Sequence, residues 1–135
     1  MKRLIPILLL LLTMLLSGCG RGGNIRQSVR NVGASVSYSE AEINDVMDVV
    51  EDYFRKEFDG CTLKELSYDE EVSDKASGEW AAQYNADKAV VLTSTFDVDS
   101  SGGDGSLNPN STYSGWQWIL TQNDGDKWVL QTWGY

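Results

Sequence analysis

The chain has 135 residues, with 20 acidic against 11 basic side chains, a formal net charge of −9, two cysteines and no histidine. Without histidine there is no Ser-His-Asp or Cys-His catalysis, no His-ligated zinc site and no imidazole proton shuttle near neutral pH. The acidic excess repels phosphates and argues against a nucleic-acid partner, while carboxylate and tyrosine chemistry stay open.

The first residues have the three parts of a secretory signal: Lys2 and Arg3, an apolar run from Leu4 to Leu16, then the small residues Ser17 and Gly18 before Cys19. The run is shorter than the roughly 20 apolar residues needed to cross a bilayer, so residues 1–18 are expected to be removed and not to span. Leu16-Ser17-Gly18-Cys19 resembles the lipobox of bacterial lipoproteins, in which signal peptidase cuts before a lipidated cysteine. That resemblance implies acylation of Cys19 and an address at the extracytoplasmic face of a cell membrane. Two or three acyl chains, at about 0.8 kcal/mol per CH₂, make such an anchor stable.

Residues 19–38 carry Arg21, Arg26 and Arg30 and no acid, and every acidic residue lies from Glu40 onward. From Gly20 to Ser37 the composition is Gly, Ser, Asn, Arg and Val without helical or strand period. It reads as a flexible basic tether with a random-coil span of roughly 20 to 25 Å. The tether is expected to lie on anionic lipid and the acidic domain to stand off from it. Once the signal is removed, Cys61 has no partner within its chain, so residues 39–135 must fold as one domain on their core alone. Cys61 itself reads as a small buried hydrophobe.

Ser39-Glu40-Ala41-Glu42 is a capping box, with Tyr38 and Ile43 placed as its hydrophobic staple, so a helix starts at Glu40. Ile43, Val46, Met47, Val50, Tyr53, Phe54 and Phe58 recur at spacings of three and four, and Asp59-Gly60 ends the run. Cys61 to Val72 reads as a strand with a bulge between Leu63 and Leu66. Ser73 to Ala86 reads as a short helix, with Trp80, Ala81 and Tyr84 on one side and Gly78 limiting it to little more than two turns. A second strand sets Val90, Leu92, Ser94, Phe96 and Val98 against Ala89, Val91, Thr93 and Thr95. The last element is a hairpin, Trp116 to Gln122 and Lys127 to Trp133, closed by Asn123-Asp124-Gly125-Asp126. The register that pairs Gln122 with Lys127 also pairs Leu120 with Val129, Trp118 with Gln131 and Trp116 with Trp133. Both faces then carry large apolar groups, so the hairpin is expected to be central and covered on both sides.

This order is α+β: a long N-terminal helix packed on a curved antiparallel sheet, in the manner of an NTF2-like or cystatin-like cone. The lipobox, the helix, the Cys-Thr-Leu strand, the stretch from Gly102 to Tyr113, Trp116-Gln117-Trp118 and the closing Trp133-Gly134-Tyr135 resemble small uncharacterised lipoproteins of Gram-positive bacteria with an NTF2-like domain. The resemblance implies a fold and an address, and carries no activity.

Three groups of residues are candidates for chemistry. Asp97, Asp99, Ser101 and Gly102 match the opening of a calcium loop, with Asp104 nearby, but the twelfth place is Asn108 and the preceding element is a strand; a Gly/Ser/Asp turn is the alternative to a Ca²⁺ site. Tyr113, Trp116, Trp118 and Trp133 gather aromatic rings of the kind that bind a sugar or peptide, the alternative being core packing. Asp97 with Tyr68 or Tyr84 is the acid and tyrosine pair that a cone-type enzyme would need. The leading expectation is a membrane-tethered binding or interaction module for a protein, glycan or peptide. An enzyme acting on a small envelope metabolite and an accessory subunit of an envelope complex are the alternatives.

Overall fold

A computed structural model describes residues 22–135, and the expectations for residues 1–18, Cys19 and Arg21 lie outside that range. The described chain is α+β, with two helices and one open, mixed, five-stranded sheet. In chain order the elements are β1 (Val29–Asn31), α1 (Glu40–Glu57), β2 (Cys61–Ser67), α2 (Glu70–Gln83), β3 (Lys88–Val98), β4 (Thr112–Gln122) and β5 (Val129–Gly134). The strands lie in the order of the sequence, antiparallel except that β1 runs parallel to β2. A parallel neighbour requires a crossover, and α1 supplies it.

The helix α1 begins as its sequence directs. Ser39 Oγ accepts from the Glu42 N–H at 3.1 Å and the Ser39 N–H donates to Glu42 Oε1 at 3.3 Å, so two of the helix's unpaired donors are satisfied reciprocally. Ile43, Val46, Met47, Val50 and Phe54 are all fully buried against Leu63, Leu66, Val90, Leu92, Phe96, Trp118 and Leu120. This one-sided burial is the main hydrophobic core.

From Gly23 to Asn31, part of the expected free tether belongs to the fold. Asn24 bridges to Thr62, β1 pairs with Glu65 to Ser67, and Gly23 N–H donates to Arg55 O at 3.0 Å. The chain at Gly23 passes so close to α1 that an added Cβ would meet the Phe54 carbonyl oxygen at 2.3 Å. Arg30, expected on the lipid surface, is instead held by α1: its Nε and Nη2 donate to Glu51 at 3.1 and 2.8 Å, and Nη2 also reaches Asp48 at 2.6 Å. These bonds, led by those from Glu51, raise the guanidinium pKa further.

The second helix is longer than expected, because Gly78 faces open space and costs only its propensity, while Asp69 caps the start by accepting from Val72 N–H at 3.0 Å. β2 stops at Ser67, opposite Thr93, and leaves the Val91 N–H beyond its end; Ser73 Oγ accepts that N–H at 3.0 Å. The hairpin differs from the expected register by one residue and then by two: Thr121 pairs with Val129, Leu120 with Leu130 and Trp118 with Trp133, Gln131 being bulged out. It is not central either. β4 is buried on both faces, at Trp118 and Leu120 on one and Ile119 and Thr121 on the other, but β5 is an edge strand with Val129 half exposed.

Candidate functional site

Three strands are bulged, and the bulges in β4 and β5 shape the site. A strand alternates its side chains, so residues three apart face opposite ways unless one extra residue intervenes. In β2 the extra residue is Lys64, which puts Leu63 and Leu66 on the same face, as expected. In β4 it is Gly115, whose φ of 72° suits the left-handed backbone of such a bulge, and it turns Tyr113 onto the face of Trp116, with ring centroids 5.5 Å apart. In β5 it is Gln131, which brings Trp133 onto the core side, 6.2 Å from the Trp118 ring.

At the end of the sheet where α1 finishes and β2 starts, these rings and α1 leave a cleft of about 230 Å³. Its walls are Tyr53 and Phe58 from the end of α1, Trp116 and Trp133 from the hairpin, and Leu107 from the loop between β3 and β4; Cys61 lies at its base. The rings support one another: Tyr53 lies 4.7 Å from Trp133, and Phe58 meets Trp116 edge to face at 6.3 Å. Glu57, Asp59 and Asp104 stand at the same cleft, and no lysine or arginine among the described residues does.

The electrostatics keep the rim charged and the thiol neutral. Serine hydrogen bonds hold the Asp99 and Asp104 carboxyls below their ordinary range, so both are ionised at neutral pH. Burial, reinforced by the negative charges of Asp99, Asp104 and Asp59, pushes the Cys61 thiol up to about 11. Cys61 is thus the buried small hydrophobe its setting suggested, with little thiolate to react.

The aromatic candidates divide. Trp116 and Trp133 line the cleft. Tyr113 stands behind Trp116, stacked on Phe96 at 5.3 Å, and its hydroxyl accepts the Asn108 N–H at 3.0 Å, which steadies the loop. Trp118 is fully buried in the core and donates its indole N–H to Ser94 Oγ at 2.8 Å, so it is out of reach of a ligand. Tyr53 and Phe58 were read as parts of an ordinary amphipathic helix and Glu57 was not singled out; the aromatic end of that helix, just before Asp59-Gly60, is the signal that was there to find.

Asp97, Asp99 and Asp104 do not form a common site. Asp97 accepts from Thr112 Oγ1 at 2.6 Å, Asp99 from the N–H of Ser101 at 2.9 Å and from its hydroxyl, and Asp104 from the N–H of Ser106 at 2.9 Å. Asp99 and Asp104 thus each serve a local turn, and Asp97 serves a cross-strand pair between β3 and β4. Among the described residues no group of three His, Cys, Asp or Glu side chains is placed to hold a metal ion. Nor does the fold assemble the acid and tyrosine pair: Asp97 sits beside the start of β2, Tyr68 is buried just past its end, and Tyr84 caps α2.

No family model matches the chain, and no curated protein or solved structure matches it either. Among the described residues no helix is long and apolar enough to cross a membrane.

Proposed function

We propose that the protein is a lipid-anchored, extracytoplasmic binding module, held to the cell membrane through Cys19, with an NTF2-like or cystatin-like domain that uses the aromatic cleft as its ligand site. The observation that carries this reading is the position of Gly22. It lies in a shallow groove with Asp59, Gly103 and Asp104, three of the residues that also border the cleft. Cys19 is three residues earlier in the sequence, a reach of roughly 10 Å at full extension. An acylated Cys19 would then hold the cleft close to the lipid surface, in place of a domain standing off on a long tether. A lipobox before the fold and an aromatic cleft beside the point of attachment are what a receptor for envelope ligands needs.

The test uses the full chain in its own membranes, with a photoreactive residue at Glu57 in the cleft or at Lys75 on the exposed side of α2. The native chain is expected to stay with the membrane through an alkaline wash and to form adducts from the Glu57 position and not from Lys75. Labelled fatty acid supplied to the cells is expected to enter the native chain and not the Cys19→Ala variant. Equal labelling of the two, or none of the native chain, would overturn the anchor; equal adducts from both positions, or none, would overturn the cleft.

A further inference from the structure

The same fold contains two aromatic clusters, one at each end of the sheet, and only one of them has a cation of its own. At the end where β3 begins, Lys88 Nζ lies 5.6 Å from the centre of the Tyr38 ring and 5.8 Å from that of Trp128, so the electron-rich faces of these rings are already matched by a positive charge. At the other end, Tyr53, Phe58, Trp116 and Trp133 border the cleft together with Glu57, Asp59 and Asp104 and with no described lysine or arginine. Ring faces carry negative quadrupole and the carboxylates carry full charge, so both kinds of wall select the same sign of ligand.

The cleft also repels the opposite sign. Asp104 and the adjoining Asp99 are held ionised by their serine partners, and the chain as a whole carries a net charge of −9. Its floor donates little: the Cys61 thiol is protonated and buried. The Trp116 indole nitrogen is covered and has no hydrogen-bond partner, in contrast to that of Trp118. A compact cation needs rings to lie against and carboxylates to face, and both line the cleft.

We infer that the cleft binds an organic cation, a quaternary ammonium or alkylated amine group whose apolar surface packs on Trp116, Trp133, Tyr53 and Phe58 while its charge faces Glu57, Asp59 and Asp104. This inference rests on the cleft being the ligand site proposed above. Trp133, 39% exposed on the edge strand β5, closes the outer wall.

Choline and 3,3-dimethyl-1-butanol have the same shape and differ in charge, so together they test the charge alone. Titration of the full chain, followed through its indole resonances, is expected to show choline binding about tenfold or more tighter than the neutral alcohol. Added salt should weaken choline and leave the alcohol unchanged. Trp133→Ala should abolish both, and Glu57→Gln should weaken choline selectively with an unchanged melting temperature. Equal binding of the two probes would overturn the cation inference and leave a cleft that binds apolar groups. No binding of either, at concentrations up to the solubility of the alcohol, would overturn the cleft as a ligand site.

Discussion

The two helices lean on the same sheet in opposite ways. In α1, five side chains from Ile43 to Phe54 are fully buried, and the rings of Phe54, Phe58, Phe96 and Trp118 pack on one another with centroids 4.8 to 6.3 Å apart. In α2, Ser73 is the one buried side chain, and Val72 is 43% exposed. The first helix is held by apolar area, which is non-directional and large; the second buries little side-chain area of its own over Ala89, Val91 and Ile119, and its one buried side chain, Ser73, makes a directed bond to the Val91 N–H. A helix of good length and good capping can therefore be a cover for unpaired backbone with almost no core of its own. The cleft lies on the α1 side, where the aromatic packing is dense enough to hold four rings in place.

The largest expected effect is on α1. Phe54→Ala should cost about 3 to 5 kcal/mol, because it removes a ring from the centre of the aromatic cluster and leaves a cavity that the surrounding rings cannot close. Chemical denaturation of the variant measures this directly. Ser73→Ala should cost less, about 1 to 3 kcal/mol, through the buried Val91 N–H left without a partner. Its specific sign is faster hydrogen exchange at Val91 with the α1 amides unchanged. If Ser73→Ala proves as costly as Phe54→Ala, the contrast between an apolar helix and a polar one is wrong.

Much of this contrast was legible in the sequence, and the parts that were not have a common physical cause. The capping box at Ser39, the apolar stripe from Ile43 to Phe58 and the alternation from Val90 to Val98 were readable because each is a local period with a local signal. The bulge in β2 was readable from the Leu63 and Leu66 spacing. The same spacing of three recurs at Tyr113 with Trp116 and at Leu130 with Trp133, and Gly115 inside a strand was a further signal of a bulge. Read as regular strands, those residues gave a hairpin register that was off by one residue near the turn and by two beyond Gln131, and with it a wrong set of aromatic neighbours. The segment from Asn24 to Asn31 has no period because it is short and docks by backbone bonds, one arginine and the single apolar side chain Ile25, and none of these leaves a repeating pattern to read. The cleft was only half legible, since its aromatic wall is split between a helix end and a hairpin whose meeting depends on those bulges.

The smallest expected effect concerns how α2 holds the segment before α1. Glu70, in the first turn of α2, accepts the Ser35 hydroxyl at 2.6 Å and the N–H groups of Val36 and Ser37 at 3.0 Å each. These bonds, the Ser35 hydroxyl first and then the two backbone amides, bring its pKa from an ordinary 4.5 down to about 2. Because the folded value lies below the unfolded one, the contribution is fully present above pH 4.5 and is lost as the pH falls through about 2. The carboxylate lies at the surface, partly covered by the segment it holds, so the change should be local: between those values the Val36 and Ser37 amide resonances should shift and exchange faster, while the indole resonance of Trp118 in the α1 core stays in place. Glu70→Gln should show the shifted amide positions already at neutral pH and remove their acid titration. Were the Trp118 signal to move together with those two amides, the polar attachment of α2 and the apolar core under α1 would be one cooperative unit, and the two sides of the sheet would not differ in the way their buried residues indicate.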